Sequence, residues 1–362
     1  MTTPLVGDLV STLVGLVVLT LGADLLVRGA SALASRAGIP PLLVGLTVVA
    51  LGTSAPEIAV SLDAAMGGRG DVALGNVVGS NIFNVLFILG ASALAAPLVV
   101  KSQLVRLDVP VMVAVSALPL LLGLDGAISR GDGGLLLVLM AAYVAVLALL
   151  ARRGEGHDAI DVDAVATPSS SPLLDLAFAL GGLVLLVLGA DALVEGATAL
   201  ARAAGVSELV VGLTVVAAGT SLPELATSLV ASLRGQRDLA VGNVVGSNIF
   251  NVLAVLGTGA AVSGGLEVAP GLLRFDFPVM LAVGLACLPV FMTGAAITRV
   301  EGAVFLAYYL IYAIYLGLHT ADHPFQEEFG IAVLGVVLPL TIAVAAAMWL
   351  RGPEDETVGG AG

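Results

Sequence analysis

Charged residues are scarce in this chain. Asp, Glu, Lys and Arg make up 11% of its 362 residues, whereas a soluble protein carries roughly a quarter. Aromatic residues reach only 4%, and strands of alternating polar and apolar residues are absent, which argues against an outer-membrane barrel. The few basic residues do not cluster, which disfavours binding to nucleic acid. The lone cysteine, Cys287, can form no internal disulfide.

Long apolar runs take the place of the missing charge. Hydrophobic residues make up 59% of the chain, and uncharged runs of about 20 residues recur, the length that a helix needs to cross the bilayer. We therefore predict an all-α integral membrane protein. Breaks at glycine, proline and charge clusters place eleven spans near residues 8–27, 41–66, 72–96, 104–124, 133–151, 173–194, 208–233, 239–262, 272–293, 301–318 and 330–350.

The chain contains an internal duplication. The stretch GNVVGSNIFNVL occurs at 75–86 and again at 242–253, and GLTVVALGTSAPE at 45–57 answers GLTVVAAGTSLPE at 212–224. RLDVPVM and RFDFPVM are a third matching pair. Each half holds five predicted spans, and this odd number inverts the second half relative to the first. Two inverted five-helix repeats forming a ten-span core are typical of secondary transporters, whose substrates bind between the repeats.

The predicted organisation has five parts. They are a first five-span repeat at 1–152, a linker at 153–172, a second, inverted five-span repeat at 173–319, an outer loop with an extra eleventh span at 320–350, and a tail at 351–362. Of the 14 Lys and Arg residues, four lie on the side opposite the linker and the other ten on the linker side. By the positive-inside rule the linker and C-terminus are cytoplasmic, and the N-terminus lies outside the plasma or inner membrane.

Two carboxylates lie inside predicted spans, Glu57 in GTSAPE and Glu224 in GTSLPE. A charge near the bilayer centre costs several kcal/mol, and no Lys or Arg within the spans is placed to pair with either, so a bound cation is the natural counter-charge. Hydroxyl and amide side chains recur at a spacing of four, on one helix face. These stripes are Thr53–Glu57–Ser61, Thr220–Glu224–Ser228, Asn76–Ser80–Asn84 and Asn243–Ser247–Asn251.

Pro56 and Pro223 lie directly before these carboxylates. Because proline lacks an N–H, the carbonyl four residues earlier loses its helical partner, and such free carbonyls can coordinate ions. The resulting ligand set is all hard oxygen, which suits Ca²⁺, Na⁺ or Mg²⁺, and flexible coordination favours Ca²⁺ over Mg²⁺. One Ca²⁺, several Na⁺ or two protons would each neutralise the two glutamates, so the coupling ion stays open.

The paired motifs GTSxPE and GNxxGSNxxN resemble those of the cation/calcium exchanger superfamily, specifically its prokaryotic sodium/calcium exchanger-like members. The resemblance implies a ten-span antiporter that binds Ca²⁺ and Na⁺ in alternation at overlapping sites. It implies Glu57 and Glu224 as central Ca²⁺ ligands, together with the carbonyls of Thr53 and Thr220. The flanking Na⁺ sites would use Ser54, Ser221, Ser80, Ser247, Asn84 and Asn251.

The resemblance thus implies a calcium/sodium antiporter rather than an enzyme, with Ca²⁺ and Na⁺ as substrates, the lipid bilayer as its surroundings and no cofactor. Potassium-dependent members carry Asp at the position of Asn251, which argues against K⁺ coupling here. A calcium/proton exchanger that uses the same two glutamates is the nearest alternative. A passive cation channel is a less favoured one, because paired inverted halves suit an occluded site better than an open pore.

Overall fold

The computed structural model is almost wholly helical. It describes residues 2–153, 169, 171–205, 217–292, 296–320, 325–326 and 329–330. Most of the predicted linker, nearly all of the eleventh span and the whole tail lie outside the described residues.

The first half contains six helices, and the described part of the second half contains another six. Those of the first half are α1 Thr2–Ala37, α2 Pro41–Thr53, α3 Ala55–Met66, α4 Gly70–Ala95, α5 Leu104–Asp125 and α6 Arg130–Arg153. Those of the second half are α7 Pro172–Ala203, α8 Ala217–Gly219, α9 Leu222–Leu233, α10 Arg237–Ser263, α11 Leu272–Met292 and α12 Arg299–Thr320. Among the described residues, eight helices are long and apolar enough to cross a membrane, and the bent pair α2–α3 is a ninth candidate.

The described helices overlap the first ten predicted segments, the seventh of them only from residue 217 onward, and the second and seventh segments each contain two helices. Helices α1 and α7 extend well beyond their predicted segments at 8–27 and 173–194. The sequence prediction ended the first of them where charges begin. In the structure the helix continues through these charges, because Arg28 pairs with Asp24 one turn earlier at 2.9 Å and Arg36 pairs with Asp175 of α7 at 2.6 Å.

Helices α1 and α7 pack against each other in antiparallel directions along their length. A Cβ atom built on Gly15 would lie 2.4 Å from the backbone nitrogen of Leu193, and one on Gly29 would lie 2.4 Å from that of Ala179. No side chain fits at such distances. Glycine at these positions therefore allows the two backbones to touch.

Helices α4 and α10, which carry the repeated GNVVGSNIFNVL, occupy the centre of the molecule. In their most apolar stretches, 78% and 94% of the residues are buried. In the other long helices among the described residues, the corresponding share is 11–39%. Each contains a π-helical segment, Phe83–Leu89 in α4 and Asn251–Leu256 in α10. Such segments are rare and are frequently found at functional sites.

The two halves are also joined by short strands, which the all-α prediction omitted. Strand β1 (Leu98–Val99) pairs antiparallel with β4 (Ala296–Ile297), and β2 (Ala127–Ser129) pairs antiparallel with β3 (Gly265–Glu267). Strands of two or three residues leave too little alternation in a sequence to be recognised. They lie in the connections between helices and hold the halves together at these points.

Candidate functional site

The helix is interrupted just before each of the two buried glutamates. Between α2 and α3 the direction changes by 46°, with Ser54 at the break. Its repeat equivalent Ser221 precedes α9, and both have non-helical backbone angles near φ −80 to −91° and ψ 8°. The break lies two residues before Pro56 and Pro223, in agreement with the expected loss of a helical hydrogen bond. It follows that Thr53 and Glu57 lie on two different helices and not on one continuous helix face.

Each glutamate is held by the opposite half of the chain. Ser221 donates a hydrogen bond to Glu57 Oε1 at 2.9 Å, and Ser54 donates one to Glu224 Oε1 at 2.9 Å. Both carboxyl groups are fully buried. The two halves therefore form one site together.

A second set of polar residues supports the first. Asn76 donates to Ser61 Oγ at 2.9 Å and accepts from the hydroxyl of Thr220 at 3.4 Å. In the other half, Asn243 donates to Ser228 Oγ at 2.9 Å and accepts from Thr53 at 3.2 Å. These four polar side chains thus form hydrogen bonds with one another or with the threonines, and they support the site. They are Asn76, Asn243, Ser61 and Ser228. The spacing of four alone does not distinguish them from the other polar stripe residues.

Several of the predicted ligands have an unpaired oxygen. Among the described residues, nine buried side-chain nitrogen or oxygen atoms lack a hydrogen-bond partner. Five of the nine belong to predicted ligands and are Glu57 Oε2, Glu224 Oε2, Asn84 Oδ1, Asn251 Oδ1 and Ser247 Oγ. We call the ten predicted ligands the cage: Thr53, Ser54, Glu57, Ser80, Asn84, Thr220, Ser221, Glu224, Ser247 and Asn251.

The cage is closed more tightly at one end than at the other. Nine of its ten residues are buried, and Thr220 is the exception, being only half-buried. Its hydrogen-bond partner Asn76 is also half-buried, whereas the equivalent pair Thr53 and Asn243 is fully buried. The hydroxyl oxygens of Ser80 and Ser221 lie 3.1 Å apart. Because Ser221 gives its single hydrogen to Glu57, Ser80 donates in this pair and Ser221 accepts.

Buried oxygens without hydrogen-bond partners are energetically costly. A buried polar group left unpaired costs about 1–3 kcal/mol, and a charged one costs more. Within the described part of the chain, the ion pairs of Lys and Arg involve other acids, and neither glutamate of the cage has a basic partner. The free atoms are carboxylate, amide and hydroxyl oxygens, which fit a hard cation such as Ca²⁺ or Na⁺.

Two residues next to the cage were missed by the sequence analysis. Asn81 and Asn248 contact the cage amides across the repeat boundary, with Asn84 donating to Asn248 Oδ1 and Asn251 donating to Asn81 Oδ1, both at 3.0 Å. Their signal was present, because both lie inside the duplicated GNVVGSNIFNVL stretch. They fall outside the spacing of four, so that pattern does not include them.

A buried set of unpaired carboxylate, amide and hydroxyl oxygens between two similar halves of a helical membrane protein is typical of an ion transporter. The chain belongs to the sodium/calcium exchanger protein family, which it matches over residues 8–149 and 174–318. The members of this family are exchangers, so the chain is a transporter and not an enzyme.

Individual relatives agree with this assignment. The chain is 42% identical over 277 residues to the inner membrane protein YrbG of Escherichia coli, covering 75% of this chain and 85% of the relative. It is 34% identical over 353 residues to the sodium/calcium exchanger MaX1 of Methanosarcina acetivorans, covering 84% and 97%. A structure of the sodium-calcium exchanger NCX_Mj soaked with zero Na⁺ and Ca²⁺ superposes with a TM-score of 0.74 at 31% identity, covering 85% of this chain and 98% of NCX_Mj.

Proposed function

We propose that this protein exchanges Ca²⁺ for Na⁺ by alternating access at the cage. The observation that carries the proposal is the set of free buried acceptors, two from each half: Glu57 Oε2 and Asn84 Oδ1 with Glu224 Oε2 and Asn251 Oδ1. Oxygens without a protein partner are what a dehydrated cation needs in place of its water ligands. Family membership supports the choice of ions.

Charge and ligand chemistry both favour Ca²⁺ as one of the two substrates. Glu57 and Glu224 together supply a formal charge of −2 when ionised, which one Ca²⁺ neutralises. Ca²⁺ accepts six to eight oxygens in flexible geometry. The serine, threonine and amide oxygens around the carboxylates also suit Na⁺, so the two ions would compete for the same ligands and bind in turn.

We further propose that the two halves form an inverted repeat with a ten-span core. The strand pairing supports this. Strands β1 and β3 occupy equivalent connections in the two halves, as do β2 and β4, yet β1 pairs with β4 and β2 with β3. Halves with the same orientation would bring equivalent connections to the same side of the membrane. Pairing between non-equivalent connections is what opposite orientations produce, and the antiparallel α1 and α7 agree with it.

Under this topology the linker side faces the cytoplasm, because ten of the 14 Lys and Arg residues lie there. We place the protein in the plasma or inner membrane with its N-terminus outside. Contacts between the halves fit this arrangement. Arg36 pairs with Asp175 at 2.6 Å and Lys101 pairs with Asp238 at 2.7 Å, and all four residues belong to the linker side.

The asymmetric burial of the cage suggests its direction of access in this state. The fully buried pair Thr53 and Asn243 lies toward the linker side under the proposed topology, and the half-buried pair Thr220 and Asn76 lies toward the opposite side. Ions would therefore enter from outside. Asp24 of α1 forms an ion pair with Arg234 at the end of α9, on the closed side. We propose that α1 and α7, packed together through their glycines, slide as a unit against the other helices. This motion would close the cage to one side of the membrane and open it to the other.

The test is uptake of ⁴⁵Ca²⁺ into proteoliposomes loaded with Na⁺, compared with liposomes that carry only a pH gradient. We expect uptake that requires internal Na⁺ and is lost in Glu57→Gln and Glu224→Gln. Glu195→Gln is a matched control, because this glutamate lies exposed on α7 and outside the cage. It should transport like the wild type.

Each other outcome has a definite meaning. Uptake driven by the proton gradient alone would make the protein a calcium/proton exchanger at the same site. Single-channel conductance in a planar bilayer would favour a passive channel. Uptake that persists in both cage variants would refute the proposed site.

A further inference from the structure

We propose that Asn81 and Asn248 are positioning residues that orient the two amide ligands of the cage. They would turn the oxygen of Asn84 and Asn251, and not the NH₂ group, toward the bound ion. This inference rests on the proposed function, because it assumes that cations bind in the cage. It assigns a role to two buried asparagines that are not themselves among the proposed ligands.

The four asparagines form two crossed pairs. Asn251 donates to Asn81 Oδ1, and Asn84 donates to Asn248 Oδ1, each at 3.0 Å and each across the repeat boundary. The other end of each donor is the free oxygen of the cage, Asn251 Oδ1 or Asn84 Oδ1. An amide that donates on one side must present its oxygen on the other.

The direction of these hydrogen bonds is fixed by groups that can only accept. Asn81 donates its amide hydrogens to the backbone carbonyl of Asn248 at 3.2 Å and to Met280 Sδ at 3.6 Å. Neither a carbonyl nor a thioether has a hydrogen to donate. The NH₂ group of Asn81 must therefore point to them, and its oxygen must point to Asn251.

The other half repeats this arrangement with one anchor. Asn248 donates to Met112 Sδ at 3.6 Å, which leaves its oxygen to accept from Asn84. Met112 and Met280 end the matching stretches RLDVPVM and RFDFPVM, and they are carried by α5 and α11. This gives the duplicated methionines a role in the site.

Orientation matters because an amide has two chemically opposite ends. Its oxygen attracts a cation, whereas its NH₂ group carries partial positive charge and repels one. The two ends have nearly the same shape, so packing alone does not choose between them. Asn81 and Asn248 are only 2% and 3% exposed. Because water hardly reaches them, their hydrogen bonds determine which end of each ligand amide faces the ion.

The test compares a neutral amide with a carboxylate, whose two ends are both oxygen. Asn81→Leu should raise the Ca²⁺ concentration at half-saturation about tenfold, the effect of one misplaced ligand to a charged group. It should change the maximal exchange rate far less. Adding Asn251→Asp to Asn81→Leu should restore binding, since a carboxylate needs no orienting partner. In the wild-type background, Asn251→Asp places a carboxylate oxygen against Asn81 Oδ1. Because these two oxygens repel each other, the substitution should not strengthen Ca²⁺ binding there.

Equilibrium binding of ⁴⁵Ca²⁺ to the purified full-length protein gives the readout. The inference is overturned if Asn81→Leu leaves half-saturation unchanged, or if Asn251→Asp has the same effect in both backgrounds, as added charge alone would produce. Asn248→Leu with Asn84→Asp repeats the test in the other half should Asn81→Leu not fold. Glu57→Gln separates the two proposals: if it binds Ca²⁺ like the wild type, the cage itself is wrong, whatever the asparagines do.

Discussion

Ser54 donates a hydrogen bond to Glu224 at 2.9 Å, although it lies three positions before Glu57 in its own half. Ser221 makes the equivalent bond to Glu57 at the same distance. Each serine thus connects the chain break of one half to the carboxylate of the other. Any motion that separates the halves at this level changes the geometry of both carboxylates at once.

These serine bonds should contribute directly to ion affinity. We expect Ser54→Ala and Ser221→Ala each to raise half-saturating Ca²⁺ about tenfold or more, because a hydrogen bond to a charged group is worth about 1.5–3 kcal/mol. ⁴⁵Ca²⁺ uptake over a range of Ca²⁺ concentrations measures this. Ser232→Ala is the control, since Ser232 also bonds across the halves at 2.9 Å but to the carbonyl of Ser92. An equal shift in the control would attribute the effect to general loosening of the halves.

The uneven burial of the cage predicts uneven chemical access. In a Cys287→Ala background, we expect a membrane-impermeant thiol reagent added from outside to modify Thr220→Cys and to spare Thr53→Cys, because reaction requires an exposed thiol. The two positions are repeat equivalents, so each serves as the control for the other. Labelling is followed by mass shift, with and without Ca²⁺. Modification of Thr53→Cys alone would reverse the proposed direction of access.

The contact between α1 and α7 predicts opposite results for two neighbouring glycines. A Cβ on Gly182 would lie 2.4 Å from the backbone nitrogen of Leu26, whereas nothing lies within 4 Å of one on Gly181. We expect Gly182→Val to destabilise the protein by about 1–3 kcal/mol or more through overpacking, and Gly181→Val to change little. Thermal unfolding in detergent, followed by gel filtration, measures both. Equal melting temperatures would argue against the tight helix contact.

The ion pair between Asp24 and Arg234 should restrain the closed side. Asp24→Asn removes the negative charge of this pair. We expect backbone amides in the last turn of α9 to exchange with deuterium up to about fivefold faster, because a partly exposed ion pair contributes up to about 1 kcal/mol. Asp63→Asn is the matched control, because its pair with Arg69 is exposed on both sides. Hydrogen–deuterium exchange mass spectrometry would compare them. Unchanged α9 exchange in Asp24→Asn would remove the restraint from the mechanism.

Much of the helical framework was predictable because a bilayer imposes helix length and polarity on a sequence. The buried glutamates were recognisable for the same reason. An isolated charge in an apolar run costs free energy, and one occurs at the equivalent position of each half. The chain breaks before Glu57 and Glu224 followed from the neighbouring prolines. Each of these features depends on residues that are close in sequence.

The features that escaped prediction depend on contacts between the halves. The hydrogen bond from Ser221 to Glu57 joins residues 164 positions apart, and no periodicity indicates it. Spacing also failed to separate free oxygens such as Asn84 Oδ1 from the satisfied amides of Asn76, because that difference lies in the partners. The π-helical segments add one residue to a turn within apolar stretches, where a shift in register leaves no visible mark in composition.

The crossed serine bonds have a consequence for how the protein is made. Ser221 is synthesised 164 residues after Glu57, so the first half can enter the membrane before this hydrogen-bond donor exists. Neither half can complete the proposed ion site from its own residues. A first half expressed alone should therefore leave its acid unsatisfied, and co-expression of the second half would supply the missing donor. Ca²⁺ binding would then measure the association of the two separately synthesised halves.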